Sequence, residues 1–143
     1  MARTLIRAAL AAALGIVAVT LSYSGTTRAN ERDDEKLPDI AEIMKKGHAK
    51  TNGYLTKIGA EAKDGKWDDA IKDAKSLELL GEALGKNKAP KGEAASWDKL
   101  SKKYLENTKA VLKAAEDKSA ADVKTALGAI GKSCGECHKA HKP

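Results

Sequence analysis

The sequence contains no phenylalanine, three tyrosines and two tryptophans, so a large aromatic core is excluded. Alanine, leucine, isoleucine and valine must fill the interior, together with whatever a bound group supplies. No stretch alternates apolar and polar residues in the manner of a half-buried strand, and no segment repeats another. Basic residues are scattered among acids, and stacking aromatics are few, which excludes a nucleic-acid surface. Cysteine is almost missing: Cys134 and Cys137 are the only two. Methionine is as scarce, with Met44 the only one beyond Met1.

What is present begins with a leader. Arg3 and Arg7 precede an apolar run from Ala8 to Leu21, and Thr27-Arg28-Ala29 offers the small residues of a cleavage site. This reads as a signal peptide over 1–29, followed by a flexible leader over 30–37. The run is shorter than the roughly 20 residues that span a bilayer, so no stable membrane insertion is expected after cleavage. The alternative, an uncleaved anchor, stays open. Arg3, Arg7 and Arg28 supply three of the +6 formal charge, leaving +3 on residues 30–143.

Residues 38–143 read as one all-α domain. The apolar stripe Ile40, Ile43, Gly47, Thr51, Leu55, Ile58 and Ala62 predicts a first helix over 39–63, behind Pro38. Gly47 on that stripe serves either the approach of something flat or tight helix packing. A second helix is expected over 66–84 and ended by Gly85, then a loop over 85–92. A third is expected over 97–117, capped by Ser96. Ser119 and Asp122 form a capping pair that opens the fourth, which carries Val123, Leu127, Ile130, Cys134, Cys137 and His141. Four amphipathic helices with short links predict an antiparallel up-down-up-down four-helix bundle.

The chemistry lies at the end of the chain. Cys134-Gly135-Glu136-Cys137-His138 is a C-x-x-C-H, the spacing that attaches one haem c covalently. Thiols at helical spacing share a face, so Cys134 and Cys137 can add to two vinyl groups on one porphyrin edge. His138 follows on the same face as an axial ligand. A dithiol redox motif or half of a zinc site are the competing readings. The first usually follows a strand, and the second lacks further ligands beyond His48, His141 and the acids. In an antiparallel bundle the start of the first helix lies beside the end of the fourth, so Met44 falls near His138. Its thioether is a candidate distal ligand, against the alternative of a core filler. His48, one turn on, is the rival ligand, and His141 is expected at a frayed terminus.

The segments Ile130 to His138 and Ile43-Met44-Lys45-Lys46-Gly47-His48 resemble those of class II cytochromes c, the family of cytochrome c′ and the low-spin cytochrome c-556 type. The resemblance implies thioethers at Cys134 and Cys137, His138 as proximal ligand and Met44 as distal ligand. It implies a periplasmic monohaem protein that carries single electrons and is not an enzyme. The alternative is a cytochrome c′-like protein binding nitric oxide or carbon monoxide at an open or labile distal site. A peroxidase reading would also need an open distal site, with His48 as its acid–base group. Redox proteins are the expected partners, and the chain is expected to be a monomer or homodimer. A collar of Lys45, Lys46, Lys86, Lys88, Lys91, Lys132 and Lys139 would steer an acidic partner. Glu42, Glu93 and Glu136 nearby weigh toward a plain solvated face. Two departures stand out: His141-Lys142 replaces the family's aromatic-basic pair, and the loop between the second and third helices is short and lysine-rich.

Overall fold

The structure, a computed structural model, describes residues 37–143. The expected signal peptide and all of the leader except Leu37 lie outside the described residues. Five helices follow in order: α1 (Ile40–His48), α2 (Tyr54–Lys63), α3 (Trp67–Lys86), α4 (Ala94–Glu116) and α5 (Ala120–His141). The described residues contain no strand.

The single first helix expected over 39–63 is in fact two. Asp39 caps α1 by accepting from the Glu42 amide at 2.7 Å. The helix stops at His48, where Ala49 turns extended with ψ 135°. The turn over 49–53 is closed by the Gly53 amide donating to the Ala49 carbonyl at 2.9 Å. Thr56 Oγ1 reaches back to the Lys50 carbonyl at 3.1 Å. A Cβ on Gly53 would stand 2.5 Å from the Ala49 nitrogen, so glycine permits this turn. The apolar stripe continues in step across the break, which is why periodicity alone runs the two helices together.

Other boundaries shift less. Gly85 does not end α3, which runs on to Lys86 and stops at Asn87. The Asn87 side-chain Nδ2 donates to the Ala83 carbonyl at 2.8 Å and its backbone N–H to the Leu84 carbonyl at 3.2 Å, capping that end. Helix α4 starts at Ala94, so Ser96 lies inside it and is not its cap. Ser119 does cap α5, accepting from the Asp122 amide at 3.3 Å.

Helices α2, α3, α4 and α5 close a ring of neighbours around one core, and α1 rests on α2 and α3. Ile58, Leu77, Leu84, Val111, Val123 and Ile130 are fully buried there. Gly81 lets α3 and α4 approach: a Cβ would fall 2.8 Å from Thr108 Oγ1 and 3.4 Å from Leu105 Cα. At Gly47 a Cβ would meet Tyr104 Oη at 3.6 Å and Leu77 and Leu80 at 3.7 Å. These are ordinary contact distances, so Gly47 faces the packed side of α1 but the packing would admit a Cβ there. Among the described residues no helix is long and apolar enough to cross a membrane.

Candidate functional site

The last turns of α5 carry Cys134, Cys137 and His138. Both thiols are free and half-buried, and His138 is exposed. Cys134 Sγ lies 3.3 Å from the Ile130 carbonyl of the preceding turn. Burial, and then the neighbouring Cys134, push the Cys137 thiol up from its ordinary value, which keeps it protonated at neutral pH. Gly131 and Gly135 sit on the open side of the same helix, where an added Cβ would meet nothing within 4 Å. Bare backbone there borders open space.

His138 and Cys137 face a cleft of about 240 Å³. Ile40 and Met44 of α1 form its opposite wall, and Pro90, Trp97 and His141 complete it. Met44, the only methionine among the described residues, and the imidazole of the C-x-x-C-H therefore line one apolar space. Helix periodicity puts Met44 there: Ile40, Ile43, Met44 and Gly47 share the inward side of α1.

His48 does not line the cleft. Its Nε2 meets the Tyr104 hydroxyl at 2.9 Å, and the two rings lie 5.6 Å apart. Burial chiefly, and then the positive charge of His138, pull the His48 pKa below 6.5. Burial, and then Cys134, raise the Tyr104 hydroxyl well above its usual range. The pair is thus neutral at pH 7, and its hydrogen bond satisfies two groups inside the protein.

His141 overturns the expectation of a frayed terminus. It is 1% exposed and held on three sides. Its Nδ1–H donates to the Lys91 carbonyl at 2.8 Å, leaving Nε2 to accept from the Ser96 hydroxyl at 3.1 Å. Trp97 packs edge-on against the ring at 5.3 Å. With both nitrogens engaged, His141 is a structural wall of the cleft. Its partners lie 45 and 50 residues away in sequence, so no local signal could have disclosed it.

The residues fit a haem. Among the described residues no three His, Cys, Asp or Glu side chains gather as a closed zinc site requires. The donors lining the apolar cleft are the Cys137 thiol, one imidazole and one thioether, while Cys134 sits one turn back on α5, outside the lining. That set suits a group that brings its own equatorial nitrogens. An all-helical chain whose C-x-x-C-H brings Cys137 and His138 to such a cleft has the form of a helical c-type cytochrome. The family model for cytochrome c′ matches residues 91–142, which supports the class II cytochrome c family for this chain. The matched residues span α4 and α5 with Cys134, Cys137, His138 and His141, and stop short of Met44 on α1. The comparisons with curated proteins and with solved structures give no match.

Proposed function

We propose that the protein is a periplasmic monohaem c-type cytochrome that carries single electrons. Cys134 and Cys137 would hold the haem covalently, with His138 as proximal and Met44 as distal ligand. The observation that carries this reading is the shared cleft of Met44 and His138. The ring of α2 to α5, with α1 laid over it, would form the antiparallel four-helix bundle expected of the family. The haem, when bound, supplies the one-electron couple. The chain supplies the rest. His138 and Met44 complete the coordination, so that little rearrangement accompanies transfer. Thioether ligation and an apolar wall of Ile40, Pro90 and Trp97 favour a raised reduction potential. The cleft is smaller than the roughly 300–1,000 Å³ of enclosing ligand pockets, so its residues would cover a bound group only in part, which would leave a route for electrons. No side chain is assigned a catalytic role.

The family model that matches bears the name of cytochrome c′ and stops short of Met44, so it is equally compatible with a second reading, a gas-binding protein with an open or labile distal site. Absorption spectra of the exported protein separate the two. A low-spin ferric spectrum with a methionine–iron charge-transfer band supports electron transfer, and Met44→Ala should convert it to high spin. A high-spin spectrum in the unsubstituted protein would favour the gas-binding reading.

A further inference from the structure

The two residues proposed as ligands stand on helices that are not close neighbours. Helix α1 rests on α2 and α3, whereas α5 packs against α4 and α2. Helix α2 touches both, and the loop over 87–93 is placed to add a second tie across the cleft. At its start, the Asn87 side-chain amide donates to the Pro38 carbonyl at 3.1 Å, two residues before α1 begins. Its other donor bond goes to the Ala83 carbonyl on α3. The Asn87 carbonyl in turn accepts from Trp97 Nε1 of α4 at 2.8 Å. Toward its end, the loop offers the Lys91 carbonyl to His141 in the last turn of α5. Gly92 adopts φ +78°, and a Cβ there would lie 2.8 Å from the Ala140 carbonyl and 3.1 Å from His141 Nδ1. The loop and the tail of α5 thus approach as closely as a glycine allows. Pro90, between these two ties, is itself part of the cleft wall.

We propose that the loop over 87–93 is a strut that fixes the separation of Met44 and His138, with Asn87 and His141 as its positioning residues. The inference rests on the ligation reading given above. Asn87 holds the start of α1, and with it Met44, one turn further on. His141 holds the last turn of α5, and with it His138, one turn earlier. Neither positioning residue would touch the iron. Each acts by removing slack between two elements that otherwise meet chiefly through α2.

The test uses the purified haem-loaded protein and the affinity of its ferric form for added imidazole, which competes with Met44 for the iron. His141→Phe keeps a ring against Trp97 and loses both hydrogen bonds. Asn87→Ala, at the other end of the loop, frees the start of α1. Each should raise imidazole affinity about tenfold and weaken the methionine–iron band. Asp73→Asn serves as the control, because Lys57 and Asp73 pair at 2.6 Å between α2 and α3, away from the cleft. It should lower thermal stability and leave imidazole affinity as it was. If both loop variants bind imidazole no more tightly than the control does, the strut idea is overturned. Failure of the ligation reading would show differently, as a high-spin spectrum before any substitution is made, and the strut would fall with it.

Discussion

At the scale of single residues, His48 carries a pH dependence with a definite sign. The folded protein holds its ring neutral, chiefly because it is buried, while the unfolded chain protonates it near pH 6.5. Below that value the unfolded state binds more protons, so stability should fall as pH is lowered. Urea unfolding at pH 7.5 and at pH 5 should show the loss, and His48→Gln should reduce it. An equal loss in the variant would assign the effect to other groups. His141 teaches a related lesson about legibility. Its position three residues past His138 in the last turn of α5 reads as loose, yet its partners Lys91 and Ser96 bury it. Cys134, Cys137 and His138 were legible because their chemistry depends on spacing along one helix. The placement of Met44 at the cleft of His138 was legible because scarcity and helical register single it out. The hydrogen bonds of His48 and His141 join distant segments, and no pattern in the sequence encodes them.

At the scale of elements, the capped start of α5 and the inward faces of α3 and α4 follow from residue type and period. The division of α1 from α2 does not, because the stripe keeps its phase through residues 49–53. The sharpest consequence of packing lies between α3 and α4, where Gly81 faces Thr108. Threonine is branched at Cβ and fully buried, with its hydroxyl on the Leu105 carbonyl at 2.8 Å, so it has little room to move. Gly81→Ala should therefore destabilise the protein by about 1–3 kcal/mol, despite alanine's better helix propensity. The urea midpoint measures this, and an unchanged or raised midpoint would mean that the two helices can part without cost.

At the scale of the whole molecule, charge is the property left to act at a distance. Lys45, Lys86, Lys88, Lys91, Lys132 and Lys139 are exposed, and Lys46 pairs with Glu42 at 2.6 Å. If this surface steers an acidic redox partner, the bimolecular rate of reduction should fall with added salt. From about 0.01 M to about 0.1 M the screening length shortens from about 30 Å to about 10 Å. A rate insensitive to that change would leave the lysines as a solvated face. The break after His48 matters at this scale too. It makes the carrier of Met44 a nine-residue outrigger that lends the core one fully buried side chain, Ile43. Such a layout is modular: changes in the outrigger can retune what meets the metal from one side, while the framework that anchors the other side goes on folding as before.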